Sequence, residues 1–239
     1  MKKIFLSLLL LTSTSSFLLA QKTINDANAE KRNVSGFHGI DVATGIHLVL
    51  IEGNSEEVAV SAATVEFRNR IVTKVEGGIL KIHYDTKTGA INKRKESKDL
   101  KAYVSYKMLD RLHVTTGAEV EINGVLKSSS LELKANTGGL VNGKVDINSL
   151  KISQNTGSKI TLTGKADKLD IDGDTGSKFK GEDMSTTNCN VAVSTGAIIS
   201  VMAEKELQVR ANTGGVVKYK GNASIREIKT NTGGSVSRI

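Results

Sequence analysis

Apolar and polar residues alternate along most of this chain. The alternation breaks at each of seven Thr-Gly pairs and then resumes. The pairs are Thr116-Gly117, Thr137-Gly138, Thr156-Gly157, Thr175-Gly176, Thr195-Gly196, Thr213-Gly214 and Thr232-Gly233, at intervals of 21, 19, 19, 20, 18 and 19 residues. Four residues before Thr stand Leu112, Leu133, Ile152, Ile171, Val191, Val209 and Ile228. Four after it stand Val120, Val141, Ile160, Phe179, Ile199, Val217 and Val236. Two after it stands a small residue: Ala118, Gly139, Ser158, Ser177, Ala197, Gly215 or Gly234. Six before it the middle copies carry Leu131, Leu150, Leu169, Cys189 and Leu207, while the outer two carry Asp110 and Arg226. Apolar positions two residues apart are strand spacing with one face buried.

Each repeat therefore predicts a strand, a sharp turn at Thr-Gly, a second strand, and a second turn near Gly124, Gly143, Gly164, Gly181 or Gly221. A unit of about 19 residues encloses no core alone, but coils stacked ~4.8 Å apart bury one continuously and satisfy each other's backbone. The expected fold is an all-β solenoid, a right-handed parallel β-helix by the crossover rule. Gly supplies the positive φ of the corner. Asn136, Asn155, Asp174, Asn212 and Asn231, each preceding Thr, can bond their own turn. The motif thus reads as architecture rather than as a ligand fingerprint.

Residues 34–109 break the period. The runs Ile46 to Ile51 and Val58 to Ser61 flank a polar turn at Gly53-Asn54-Ser55, and a second alternating segment carries Gly77-Gly78 as a hairpin turn. The expected organisation is a signal peptide at 1–20, a flexible segment at 21–33, an N-terminal β-rich part of paired hairpins at 34–109, and a β-helix of about seven coils at 110–239. Lys2-Lys3, the apolar run Ile4 to Leu11 and Leu18-Leu19-Ala20 make the first twenty residues resemble an export signal. The run is too short to span a bilayer, so no transmembrane segment is expected after cleavage.

Composition sharpens this picture. Among 239 residues there is no proline and no tryptophan, and aromatics are 4%, so the core is built from aliphatic side chains. Without Lys2 and Lys3, 31 basic residues face 25 acidic ones, a net charge of +6. An exported basic protein meets polyanions such as acidic polysaccharides. The basic stretch 87–101, with Lys93, Arg94, Lys95, Lys98 and Lys101, reads as a solvated loop. It lacks interleaved aromatics, so specific nucleic-acid reading is not expected.

The period, the Thr-Gly-small-x-apolar signature, and Phe37, Ile40, Gly45 and Leu80-Lys81-Ile82 together resemble a bacterial family, the putative auto-transporter adhesin, head GIN domain. The resemblance covers about residues 34–239. It implies a secreted β-helical protein and brings no catalytic residues.

Candidate chemistry is sparse. Asp170, Asp172 and Asp174 start like a calcium loop, but Thr175 and Gly181 replace the required Gly and Glu. Leu169 and Ile171 point inward in this register, which leaves Asp170 and Asp172 on the wet face. Cys189, the only cysteine, occupies a leucine column and is expected to be a buried thiol. His38, His47, His83 and His113 show no metal-ligand spacing. Asp146 and Asp183 could stack near Asp170 as a weak acidic patch, but Lys151, Lys159, Lys178 and Lys180 mix with it.

The expected protein is a non-enzymatic, cofactor-free and metal-free adhesin-like module of the periplasm, outer surface or extracellular space. Its expected partner is an acidic polysaccharide or other envelope polyanion. Two alternatives stay open: a carbohydrate-active enzyme of the lyase or hydrolase type, and a self-assembling envelope protein that forms homo-oligomers.

Overall fold

A computed structural model describes residues 26–86 and 97–239. The signal-like stretch 1–20, the start of the 21–33 segment and most of the basic loop, including Lys93 to Lys95, lie outside the described residues.

The described chain is one sheet system of sixteen strands and one short helix. In order the elements are β1 (Glu30–Arg32), β2 (Gly39–Val42), β3 (His47–Glu52), β4 (Glu57–Ser61), α1 (Val65–Asn69), β5 (Ile71–Glu76), β6 (Ile79–Tyr84), β7 (Lys101–Tyr106) and β8 (Arg111–Val114). The long strands follow: β9 (Glu119–Ala135), β10 (Leu140–Gln154), β11 (Lys159–Gly173), β12 (Lys178–Val193) and β13 (Ile198–Ala211). The last are β14 (Val216–Lys220), β15 (Ser224–Thr230) and β16 (Ser235–Arg238). The molecule is a β-solenoid with parallel rungs, as the period predicts.

Each coil has two walls joined at the Thr-Gly corner. Wall A precedes the corner and wall B follows it. Along wall B the stacking order is β1-β4-β7-β3-β9-β10-β11-β12-β13-β14-β16. Along wall A, β5, β6, β2 and β8 lead to the C-terminal halves of β9 through β13 and then β15. In β9 to β13 the second bend of a coil is not a separate turn, whereas at Gly221 the predicted turn separates β14 from β15. The long strands run through the bend with register shifts, for instance between Asn142 and Lys144 and between Thr161 and Thr163.

The corner has more backbone chemistry than the glycine alone suggests. Thr137 has φ 48° and Gly138 φ 72°, and the Gly139 amide donates to the Asn136 carbonyl at 2.9 Å. Two consecutive positive φ values closed by that bond make a type I′ turn. The left-handed threonine recurs at 116, 156, 175, 195, 213 and 232. Neighbouring corners are bonded in line: the Gly117 amide donates to Thr137 O, Gly138 to Thr156 O, and so on to Gly214 and Thr232. Asn155 Oδ1 and Asp174 Oδ1 accept from the following Thr amide at 2.6 and 2.7 Å, the predicted self-bonded turn, whereas the side chains of Asn136, Asn212 and Asn231 make no such bond.

An eighth corner stands outside the seven-copy alignment. Thr44 has φ 63° and Gly45 φ 71°, and the Gly45 amide donates to Thr116 O. The coil made by β2 and β3 is thus the rung beneath the first predicted coil. Beneath it lies another, made by β6 and β7. The two lowest rungs are transposed relative to chain order. Residues 107–110 carry the chain past the β2–β3 rung, and the Asp110 amide donates to His38 O at 3.0 Å on the way.

The N-terminal part therefore continues the same stack. The Gly77-Gly78 hairpin is present, with Glu76 opposite Ile79. The 46–61 segment is not a hairpin, because β3 pairs in parallel with β7 and β9, while β4 pairs antiparallel with β7. Antiparallel β4 and β1 cover one wall of the lowest rung and β5 the other. The outermost strand, β1, is three residues long and charged, a feature that discourages further pairing.

The core is a set of aliphatic columns. Ile40, Leu112, Leu133, Ile152 and Val209 are at most 1% exposed, and so are Leu48, Val120, Val141, Ile160, Phe179, Ile199 and Val217. Phe179 is a single large ring in a column of Val, Ile and Leu, and Gly181 leaves the space beside it. In the last rung the columns become open, with Ile225, Ile228 and Ile239 exposed.

Candidate functional site

The two walls differ in charge. Much of wall A is internally neutralised. Asp41 lies 3.5 Å from Arg111 and 3.4 Å from His113 on the next rung, and Lys134 pairs with Glu132 at 2.7 Å. Further up, Lys168 pairs with Asp170 at 2.9 Å and Arg210 with Glu227 at 3.3 Å. Hydrogen bonding by Lys134 holds Glu132 below the usual carboxylate range. Burial alone would raise Asp170, but the bonds from Lys168 and Asn190 outweigh it and hold that carboxyl low. His113 is pushed down, first by burial and then by the Arg111 charge.

Wall B is different between β10 and β14. Lys159 and Lys178 are direct register partners on adjacent rungs, and Lys180 follows two residues along β12. Lys218 lies two rungs from Lys180, across Ser200. Among the described residues none of these four makes an ion pair, whereas nearby Lys220 pairs with Asp183 at 3.3 Å. Like charges one rung apart repel, and nothing in the packing requires them there. The outward alternation of strands β11 and β12 is what places them side by side.

The other predicted candidates are dispersed. Asp170 and Asp172 do face solvent on wall A, with Leu169 and Ile171 buried behind them. Asp146 pairs instead with Lys165 at 3.4 Å and Asp183 with Lys220, so neither stacks with Asp170. The expected acidic patch does not form, because the bend of each coil separates Asp146 and Asp183 from wall A. Lys151 is the register partner of Asp170, as expected, but Lys159, Lys178 and Lys180 stand on the other wall. Asp174 belongs to its corner. Cys189 is 2% exposed, and burial pushes its thiol up to about 12.

His38 bonds Asp110 at 2.7 Å, and His47 lies between Glu119 and Glu121 at 3.6 and 3.7 Å. His83 is an exposed strand residue opposite Val72. Among the described residues no group of three His, Cys, Asp or Glu side chains is arranged to hold a metal ion. At the end of the basic loop, Lys98 sits 4.5 Å from the Tyr84 ring and Lys101 pairs with Asp99 at 2.7 Å. No helix among the described residues is long and apolar enough to cross a membrane.

The model of the family described as "Putative auto-transporter adhesin, head GIN domain" matches residues 36–223. The chain belongs to this family. The match begins at the transposed rungs and runs to the foot of β15, so it includes the capping strands β4 and β5 as well as the regular coils, while β1 lies outside it. Solved structures share the fold. A putative adhesin from Bacteroides fragilis superposes with a TM-score of 0.79 at 15% identity, covering 88% of this chain and 96% of that one. A putative lipid binding protein from Parabacteroides distasonis gives 0.67 at 20% identity, with 90% and 98% covered. A putative adhesin from Parabacteroides merdae gives 0.65 at 17%, with 88% and 95% covered. No curated protein matches the sequence. At such identities the likeness carries the head GIN fold and no site residue.

Proposed function

We propose that this head GIN domain is an exported, non-enzymatic, adhesin-like surface module that holds an acidic polysaccharide or similar polyanion along wall B. The observation that carries this reading is the set of lysines Lys159, Lys178, Lys180 and Lys218, which make no ion pair among the described residues, while the nearby Asp183 is engaged by Lys220. A repeating anionic polymer can lay successive charges against successive rungs, and many weak contacts then add through effective concentration. The family's description and its solved relatives support the adhesin-like part of the reading, and the signal-like first twenty residues support export.

The test is binding of the purified chain to immobilised polygalacturonate, with dextran as the neutral control. Binding is expected to be stronger to the acidic polymer than to dextran, and the difference to shrink steeply as salt is raised, since exposed charges are screened within ~10 Å at 0.1 M salt. The triple substitution Lys159→Gln, Lys178→Gln and Lys180→Gln should reduce affinity about tenfold or more, ~1.4 kcal/mol. Equal binding of dextran, or a triple variant that binds unchanged, refutes the proposal.

A further inference from the structure

Wall A carries a second concavity that the lysine surface does not explain. A groove of about 250 Å³ is lined by Lys151, Asp170, Asp172, Asn190, Ala192, Gln208 and Arg210, with Ile152, Ile171 and Val191 behind them. Its origin is visible in the register. Three residues before each corner, the outward column reads Lys134, Ser153, Asp172, Ala192, Arg210 and Lys229. Ala192 puts one methyl group where its neighbours put a charged side chain. Asp172 and Arg210 then stand on either side of it, two rungs or ~10 Å apart. The adjacent outward column, five residues before the corner, supplies Lys151, Asp170, Asn190 and Gln208.

The hydrogen-bonding capacity of this groove is only partly used. Asn190 donates through its amide nitrogen to Asp170 at 2.8 Å, and Gln208 donates through its own to Glu227 at 2.8 Å. Both arrangements leave the amide oxygens as acceptors. Among the described residues Asp172 has neither a hydrogen bond nor an ion pair, and Lys151 makes no ion pair within 4 Å. Arg210 commits one nitrogen to Glu227. Lysine and arginine donors therefore alternate with aspartate and amide acceptors around a small apolar floor.

We infer that this groove is a subsite for one residue of a neutral sugar. Its lining carries two cations and two anions, so Asp170 and Asp172 repel a polyanion while Lys151 and Arg210 repel a polycation. A sugar hydroxyl donates one hydrogen bond and accepts others, which suits a rim where donors and acceptors interleave. Asp172 and the Asn190 oxygen face hydroxyl donors, and Lys151 and Arg210 face hydroxyl acceptors. Ala192 gives the ring a place to rest. The groove is open and has no aromatic platform, so binding is in the millimolar range for a single residue. The subsite lies on the opposite side of the corner from the wall B lysines and does not depend on them.

The experiment is a titration of the ¹⁵N-labelled chain with glucose, galactose, mannose and N-acetylglucosamine, each to about 50 mM, which saturates a millimolar site. At least one sugar is expected to produce saturable amide shifts centred on Asp172, Asn190, Ala192 and Arg210. Ala192→Arg, which fills the floor and engages Asp172, should abolish them, and Asp172→Ala should weaken binding about tenfold. The dispersion of each variant's spectrum reports that it is folded. The wall B triple variant should keep the shifts, which separates this subsite from the polyanion surface. The inference is overturned if none of the four sugars gives saturable shifts there, or if the shifts survive both Ala192→Arg and Asp172→Ala.

Discussion

The Ser194 hydroxyl donates to Asp174 Oδ1 at 2.9 Å, joining the corners of two consecutive coils through their side chains. The same oxygen accepts the Thr175 amide at 2.7 Å within its own turn. One carboxylate thus fastens a turn and ties it to the next.

This bond makes a pH prediction. The hydroxyls of Thr195 and Ser194, and then the Thr175 amide, hold the Asp174 carboxyl below its usual 3.8. A depressed folded value means that the stabilisation is present above the unfolded value and is lost as pH falls through the folded one. Ser194→Ala should move the Asp174 pKa upward toward 3.8 and shift acid unfolding to higher pH. Carboxyl NMR titration and far-UV circular dichroism measure the two. An unmoved Asp174 pKa would show that the tie between consecutive coils has no electrostatic weight.

The corner threonines make a second. Left-handed backbone disfavours an ordinary L-residue by ~1–2 kcal/mol, most of all a β-branched one. Thr137 is exposed at φ 48°, so little packing offsets that strain. Thr137→Asn should stabilise the chain by up to ~1 kcal/mol, since Asn tolerates this region. Urea unfolding reads the change. A lower midpoint would mean that the threonine column itself contributes contacts worth more than the strain.

Gly138 and Gly139 should respond to alanine for different reasons. Gly138 has φ 72° and open space around it, so Gly138→Ala adds backbone strain of ~1 kcal/mol. At Gly139 a Cβ would lie 2.6 Å from the Val114 carbonyl oxygen, a backbone atom that cannot step aside. Gly139→Ala should therefore cost more, ~2–3 kcal/mol from overpacking. Thermal unfolding of the two variants gives the order, and the reverse order would contradict the close approach of rungs.

Cys189 should be inert while the chain is folded. The thiol is buried and its pKa is pushed up to about 12, so little thiolate exists at neutral pH. Ellman's reagent should react with it only in denaturant. Stoichiometric reaction with the native protein at pH 8 would place the thiol at the surface.

Several of these features were legible in the residues. The inward columns, the corner and the self-bonded Asn or Asp all follow from offsets relative to Thr-Gly, because a coil repeats its local environment every 19 residues or so. Thr44-Gly45 obeys the same offsets, with Ile40 four before and Leu48 four after, yet Ile46 replaces the small residue and 72 residues separate it from Thr116. A period search passes over a corner at such a distance. The hydrogen bond from Gly45 to Thr116 and the pairing of β2 with β8 and of β3 with β9 reveal it as a rung.

The sequence by itself determined the coil: its length, its buried columns, its turn and its aliphatic core, all of which are local and periodic. The tertiary structure decided which coils touch. It transposed the two lowest rungs, capped them with antiparallel strands, separated Asp146 and Asp183 from Asp170, and set Lys159 beside Lys178 while pairing many of the charges of the opposite wall. It also aligned Ala192 between Asp172 and Arg210. These relations join residues a whole coil or more apart, and they exist only once hydrogen bonding between rungs fixes the register.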